Sequence, residues 1–346
     1  LIKAEYKKYI LNFKNPSGTS RGVLRTKETW FIILKKDSKT GIGETGLFRG
    51  LSADDVPNYE EKLSWVCKNI NQGLNKLLAQ TINFPSIQFG LEQAFLSLKS
   101  THKFELFPSE FTKGNESISI NGLIWMGEKQ FMKNQIKEKL KTGFTCIKMK
   151  IGAIDFDAEI ELLKSIRKEF SAKEIELRVD ANGAFTPNNA LEKLKRLAAL
   201  DLHSIEQPIK QGQLQEMALL CSKTPLPIAL DEELIGVFSS EDKEKIIKEI
   251  KPQYIILKPS LVGGFAGSKE WIKFAENNAI DWWITSALES NIGLNAIAQF
   301  THSLQSKLPQ GLGTGSLFTN NVVSPLEVKN GALHYNTSLS WNLDIQ

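Results

Sequence analysis

The chain has 346 residues, with 43 basic against 39 acidic, 41% hydrophobic and 24% charged residues. Those shares belong to an ordinary soluble globular protein, and the length fits one barrel-sized domain plus a smaller one, or two medium domains. The small basic excess is scattered among acids and argues against a nucleic-acid surface; three distant cysteines (Cys67, Cys146, Cys221) argue against a disulfide framework or zinc knuckle, and four isolated histidines (His102, His203, His302, His334) against a His-based metal site.

No apolar run approaches the roughly 20 residues needed to cross a membrane, and no export signal is visible. The cytoplasm is therefore the expected compartment. In the first third, Thr29–Lys35 (T-W-F-I-I-L-K) predicts a strand, Lys36–Lys39 a turn, and Gly41–Thr45 its continuation. Tyr59–Leu78 and Phe89–Ser100 read as helices, the second from the spacing of Phe89, Ala94, Phe95 and Leu98. Gly41-Ile-Gly-Glu-Thr-Gly46 matches G-x-G-x-x-G, but no convincing helix opens after it, so it reads as hairpin and loop rather than a dinucleotide site.

From about Ile118 short apolar strands alternate with helices. The strands are Ile118–Leu123, Thr145–Ile151, Glu176–Asp180, Ser204–Glu206, Ile228–Asp231, Tyr254–Lys258, Asp281–Ser286 and a short one near Gly311–Gly313. Helices such as Asp157–Phe170 and Pro187–Leu200 lie between, the latter with Thr186 as N-cap and Pro187 at its first position. Eight strands so spaced fit a (β/α) barrel, with a doubly wound open sheet as the alternative. Gly263-Gly-Phe-Ala-Gly267 is placed to cradle a phosphate, but close packing behind Lys258 is the simpler reading. After Asn321 the alternation stops. Leu326–Lys329, the turn Asn330–Gly331 and Ala332–Tyr335 predict a hairpin, expected to return to the N-terminal third.

Charge recurs at the strand ends. In Cys146-Ile-Lys-Met-Lys150 the two lysines share a face, and Ile147, Met149 and Ile151 share the other. Two ammonium groups inside a barrel repel and lose hydration, which predicts lowered lysine pKa values and a base near neutral pH. Asp180, Glu206 and Asp231 end the next three strands, spaced by roughly one βα unit of about 25 residues. They are expected at one barrel height, where a hard divalent cation (Mg²⁺, or Mn²⁺ as substitute) relieves their repulsion. Lys258 then faces Lys150 across the mouth. A lone Asp after a strand is ordinarily a cap, and a lone Lys is ordinarily solvated. The series Lys-x-Lys, Asp-x-Asn, Glu-Gln-Pro, Asp-Glu, Lys-Pro at successive strand ends is what points to chemistry.

With K-M-K-I-G, R-V-D-A-N-G-A-F, I-E-Q-P, A-L-D-E, L-K-P and T-S-A-L-E-S-N-I-G-L, the chain resembles the enolase superfamily in its muconate-lactonizing-enzyme-like branch, and within it the o-succinylbenzoate synthase family. The resemblance implies an α/β fold: a modified TIM-type (β/α)7β barrel over residues 116–321, and an α+β capping domain from residues 1–115 and 322–346. It implies Asp180, Glu206 and Asp231 as Mg²⁺ ligands, Lys150 as the base and Lys258 as the facing cation. Lys148 would touch the substrate carboxylate, Asn182 and Glu232 would support the site, and Ser286, Glu289 and Ser290 would shape the pocket. A mobile loop near 17–25 (Gly18-Thr-Ser-Arg-Gly22) would close over the site, with Arg21 or Arg25 as the partner of a succinyl carboxylate.

The implied reaction is syn dehydration of 2-succinyl-6-hydroxy-2,4-cyclohexadiene-1-carboxylate to 2-succinylbenzoate, in menaquinone synthesis. The implied partner is this small carboxylate, not nucleic acid or a membrane; oligomeric state stays open. The rivals are an N-acylamino acid racemase or dipeptide epimerase, and a non-catalytic binding protein on an inherited barrel. Epimerases of this branch usually carry Asp-x-Asp at the eighth strand, whereas Gly311-Leu-Gly-Thr-Gly315 carries no carboxylate. No lysine or ligand position is lost, which argues against the binding protein.

Overall fold

The structure, a computed structural model, describes residues 1–19 and 22–343. Its N-terminal sheet is antiparallel, in the order β1 (Lys3–Thr19), β2 (Gly22–Lys36), β3 (Lys39–Gly46). The helices α1 (Tyr59–Lys68), α2 (Leu74–Gln80) and α3 (Pro85–Lys99) follow. Trp30, Ile32 and Leu34 of β2 pack with Leu63, Val66, Leu91, Ala94 and Leu98 of these helices. Phe31, on the opposite face, packs with Ile42, Ile292 and Val322. Both faces of β2 are covered, which is why its sequence reads as a continuous apolar run rather than an alternation.

One expectation in this third is corrected and one strand is added. The helix expected over Tyr59–Leu78 is broken: α1 ends at Lys68 with Asn69 as its cap, a 3-10 turn covers Ile70–Gln72, and Gly73 at φ +87° leads into α2. The strand β1, whose exposed lysines hide its alternation, was not expected. Gly41, Gly43 and Gly46 lie on β3, not in a nucleotide-binding turn. A Cβ on Gly41 would stand 2.3 Å from Ala94 O, and one on Gly43 2.0 Å from Gly90 O. These two glycines let α3 lie directly on the strand.

The second half is a curled parallel sheet. Its strands are β5 (Gly122–Ile124), β6 (Cys146–Lys150), β7 (Glu176–Asp180), β8 (Ser204–Glu206), β9 (Ile228–Leu230), β10 (Tyr254–Leu257) and β11 (Asp281–Ile284). The intervening helices are α4 (Lys129–Lys141), α5 (Phe156–Glu169), α6 (Pro187–Ala198), α7 (Leu214–Lys223), α8 (Ser240–Ile250), α9 (Gly264–Asn277) and α10 (Asn291–Ser303). The eighth strand shrinks to two parallel bridges, Thr285 to Gly311 and Ile120 to Gln310, and these close the barrel. Gly311 is required there, since a Cβ would lie 2.4 Å from Thr285 Oγ1. The fold is the expected (β/α)7β barrel, and the open doubly wound sheet is set aside. Ile147, Met149 and Ile151 are buried in the core shared by strands and helices, as their alternation requires.

The expected first strand, Ile118–Leu123, divides in two. Ser117–Ser119 is β4 and pairs antiparallel with the tail, while Gly122–Ile124 enters the barrel. The tail hairpin, β12 (Leu326–Lys329) and β13 (Ala332–Tyr335), turns through Asn330 and Gly331, both at positive φ. It does not lie on the N-terminal sheet: β13 pairs with β4, and Leu333 joins the barrel core. Contacts toward the first third come from the hairpin itself, where Tyr335 of β13 meets Phe111 edge-on at 5.9 Å, and from residues on either side of it, Val322 against Phe31 and Trp341 stacked on Phe104 at 4.1 Å. Among the described residues no helix is long and apolar enough to cross a membrane.

Candidate active site

A cavity of about 170 Å³ opens at the carboxyl ends of the barrel strands. Lys148, Lys150, Asp180, Asn182 and Lys258 line it, with Thr285, Ser286 and Thr314 on the side of the seventh and eighth strands. Phe48, Leu51, Trp125, Leu288 and Leu317 supply apolar wall, and the first two come from the segment after β3. Sequence reading missed these five, because nothing in β3 or the loops signals that they face the barrel mouth.

The ladder sets the heights. Lys150 pairs with Asp180 and Asp180 with Glu206, so these three are level. Glu206, however, pairs with Ala229, which puts Asp231 two residues further along its chain. The expectation of one common height is thus corrected. Strands of a closed barrel are staggered, and equal sequence spacing does not guarantee equal height.

Every predicted charge here is nevertheless drawn into one network. Lys150 Nζ donates to Asp180 Oδ2 at 2.9 Å and Asn182 Oδ1 at 2.7 Å. Lys148 Nζ lies 3.2 Å from Asp180 Oδ2 and also donates to Glu206 Oε2. Lys258 Nζ donates to Asp231 Oδ2 and lies 4.0 Å from Glu206 Oε1. Asn182 donates its backbone N–H to Asp180 Oδ1 at 3.0 Å and its amide to Glu232 Oε1 at 3.0 Å.

The electrostatics correct one expectation. Burial pulls the Lys148 ammonium toward a lower pKa, but Asp180 and Glu206 outweigh burial and raise it above the ordinary lysine value. Lys258 behaves alike: burial lowers it, and Asp231 with Glu206 raise it further. The expectation of lowered values counted repulsion between lysines and left out the carboxylates they touch. Burial would raise Asp180, yet Lys148 and Lys150 hold it well below the carboxylate range. Glu206 is pushed up to about 8, first by burial and then by Asp180.

Among the described residues, no three acidic, histidine or cysteine side chains stand as a ready set of metal ligands. Lys148 and Lys258 stand among the carboxylates instead. The donors still suit a hard cation in kind: they are carboxylate oxygens on neighbouring strand ends, and Glu206 Oε1 is buried without a hydrogen-bond partner.

Gln207 is a second feature that sequence reading left without a role. It is fully buried at φ +38°. Its Oε1 accepts from Asp231 N at 3.2 Å and Glu233 N at 3.3 Å, and its Nε2 donates to Glu233 Oε2 at 3.1 Å. It therefore fixes the backbone that carries Asp231. Asn182, at φ +43° after β7, is likewise held in the left-handed region.

The pocket-shaping trio separates. Ser286 lines the cavity, whereas Glu289 and Ser290 do not. Glu289 is buried behind the wall and accepts from Ser286 Oγ at 2.5 Å and Ser260 Oγ at 2.6 Å. Ser290 is the N-cap of α10 and donates to Glu44. Gly263 and Gly264 cradle no phosphate: Glu92 of α3 accepts from Phe265 N at 2.5 Å and Ala266 N at 3.0 Å, so the protein supplies its own acceptor there. Of the expected closing loop, β1 runs to Thr19 and β2 resumes at Gly22, Arg25 is exposed, and Arg21 lies outside the described residues.

Residues 132–339 match the family model described as Enolase C-terminal domain-like. The o-succinylbenzoate synthase of Desulfotalea psychrophila is 47% identical, over 96% of this chain and 98% of that protein. The crystal structure of MenC from Desulfotalea psychrophila superimposes with a TM-score of 0.86 at 44% identity, covering 96% of this chain and 99% of that one. A substrate-liganded L-Ala-D/L-Glu epimerase from Bacillus subtilis has a TM-score of 0.82 at 19% identity, over 98% and 96% of the two chains, a likeness of fold alone.

Proposed function

Because this chain belongs to the enolase superfamily, in its muconate-lactonizing-enzyme-like branch, we propose that it is an o-succinylbenzoate synthase. It would be a carbon–oxygen lyase that removes water, with syn geometry, from 2-succinyl-6-hydroxy-2,4-cyclohexadiene-1-carboxylate to give 2-succinylbenzoate for menaquinone. The observation that carries the chemistry is that Lys150 and Lys258, on the second and sixth strands of an eight-strand barrel, line one cavity with carboxylates between them.

In this reading Lys150, as the free amine, takes the proton α to the substrate carboxylate. Asn182 and Asp180 keep its Nζ aimed as it becomes an ammonium. The same ammonium returns that proton to the hydroxyl as the C–O bond breaks, so water leaves and the ring becomes aromatic. One group serving first as base and then as acid suits departure from the same face. Lys258 opposes it as a fixed cation beside the planar enediolate, and Lys148 meets the carboxylate. Asp180, Glu206 and Asp231 would hold Mg²⁺, which when bound supplies positive charge to stabilise the enediolate. Residues 1–115 with the tail from 322 would act as the capping part that selects substrate, through side chains such as Phe48 and Leu51. The reading places the enzyme in the cytoplasm, which suits its three free thiols.

The test is direct. Purified protein with Mg²⁺ is given the cyclohexadiene substrate, and 2-succinylbenzoate is followed by absorbance. No product, together with racemisation of an N-succinyl amino acid by the same preparation, would overturn the assignment.

A further inference from the structure

Four donors converge on the fully buried carboxylate of Glu44 in β3. Thr29 Oγ1 lies at 2.9 Å, Ser290 N at 2.8 Å, Ser290 Oγ at 2.5 Å and Gly293 N at 2.8 Å. A carboxylate only accepts and has about four lone-pair sites, so Glu44 is saturated. Three of those donors belong to the cap and first turn of α10, which makes a residue of the N-terminal sheet the anion on that helix terminus. Gly293 is matched to it, since a Cβ there would lie 2.8 Å from Glu44 Oε2.

The residue next to Ser290 carries the tie onward. Glu289 takes the Ser260 hydroxyl, two residues after Lys258, and the Ser286 hydroxyl at the cavity wall. Ser286 Oγ in turn accepts from Leu288 N at 3.0 Å and Thr314 Oγ1 at 3.0 Å. The 286–290 loop is therefore held from two sides, by Glu44 from the sheet and by its own Glu289 from the strand end that bears Lys258.

We propose that Glu44 is a positioning residue for the Lys258 and Ser286 side of the cavity. Through Ser290 the N-terminal sheet fixes the 286–290 loop, and Glu289 passes that placement to the turn after Lys258. The proposal rests on the reading of Lys258 as a working group.

Glu44→Gln tests it, because the amide keeps the shape but turns an NH₂ toward N–H donors. Gln299→Ala is the control. Gln299 sits on the same helix and also ties it to the first third, accepting from Leu106 N at 2.8 Å and Phe107 N at 2.9 Å, but far along the helix from the loop. Glu44→Gln is expected to lower kcat about tenfold with KM changed less than about twofold, as for misplacement of a reacting group. At a comparable loss of Tm, Gln299→Ala is expected to keep kcat within about twofold. Hydrogen exchange should quicken at Leu288–Gly293 in Glu44→Gln and not in Gln299→Ala. Ser290→Ala removes one donor while keeping Glu44, and the double variant should lose less than the sum of the singles. Should Glu44→Gln fail to fold, Ser290→Ala carries the same comparison with a kcat loss of about threefold. Equal kcat losses in Glu44→Gln and Gln299→Ala, or full kcat in Glu44→Gln, would overturn the proposal. Normal turnover by Lys258→Ala would instead overturn the reading of Lys258, a separate result.

Discussion

Lys148 and Lys150 meet at a single oxygen, Oδ2 of Asp180, at 3.2 Å and 2.9 Å. Only Lys150 also has Asn182 Oδ1, and Lys148 is the more deeply buried of the two. The pair is thus asymmetric, and the proposed roles differ accordingly. Lys150→Ala removes the base and is expected to lower kcat by about 10³-fold or more, with the protein still folded. Lys148→Ala leaves Lys150 in place but strips Asp180 and Glu206 of a cation, and is expected to raise KM as well as lower kcat. Steady-state kinetics on the two variants separates these outcomes, and a Lys150→Ala enzyme turning over at the normal rate would sink the mechanism.

Metal dependence is the expected outcome of the proposed function, and the orphaned Glu206 oxygen with its two acidic neighbours is the feature that supports it. Chelation is expected to abolish dehydration, and added Mg²⁺, or Mn²⁺, to restore it. A readout independent of turnover is thermal melting. Mg²⁺ at about 100 times its Kd should add about 2.7 kcal/mol of stability to the wild type. That gain should be lost in Glu206→Gln and in Asp231→Asn. A melting temperature equally raised by Mg²⁺ in all three proteins would place the ion elsewhere.

The tight seat of α3 on β3 predicts a packing failure. Gly43→Ala would put a Cβ 2.0 Å from the Gly90 carbonyl oxygen, which is backbone and cannot swing aside. The cost is expected to be about 3 kcal/mol or more, read from urea denaturation. Gly50→Ala is the contrast. A Cβ meets nothing within 4 Å there, and the cost is that of φ +73° alone, about 1 kcal/mol.

How far the sequence exposed this site depends on what kind of information each residue carries. Lys148, Lys150, Asp180 and Glu206 were legible because period-two alternation puts them on the face opposite Ile147, Met149 and Val179, and the strands keep that period. Asp231 and Lys258 were legible as strand-end charges, but the height of Asp231 was not, since stagger between strands is a property of the closed barrel. Phe48 and Leu51 were invisible because their contact with the mouth is set by how the first third packs on the barrel. Glu44 was hidden inside a glycine motif, where the glycines drew attention and the acid between them held the long-range tie. The first barrel strand was misplaced for a related reason: β4 and β5 lie two residues apart in sequence and are separate in pairing.

Glu92 makes stability depend on pH. Burial pushes its carboxyl up to about 7, against the lowering effect of the Phe265 and Ala266 N–H groups, from an ordinary 4.5. The native state therefore keeps a proton that the unfolded chain has already released between those values. Unfolding free energy must fall as pH rises through that window, the reverse of a salt-bridged carboxylate. Asp54, at about 6, and Glu159, at about 7, act in the same direction. Melting curves between pH 4.5 and pH 7.5, the range that spans these values, should show Tm declining in the wild type and declining less in Glu92→Gln. An identical slope in the two proteins would remove Glu92 from the account.

Selectivity against dipeptides follows from the wall opposite the lysines. Thr285, Ser286, Gly311, Gly313, Thr314 and Ser316 line it, and none can carry a negative charge. A dipeptide would bring an ammonium into a cavity that already holds Lys148, Lys150 and Lys258. Its charge would be desolvated there without a carboxylate of its own, a cost of several kcal/mol. Turnover of a dipeptide such as L-Ala-L-Glu is expected to have a kcat/KM about 10³-fold or more below that for the cyclohexadiene acid. An N-succinyl amino acid has no ammonium and escapes this penalty, so its racemisation should be the faster of the two side reactions. Measured on one preparation, dipeptide epimerisation within about tenfold of dehydration would show that the neutral wall does not set specificity.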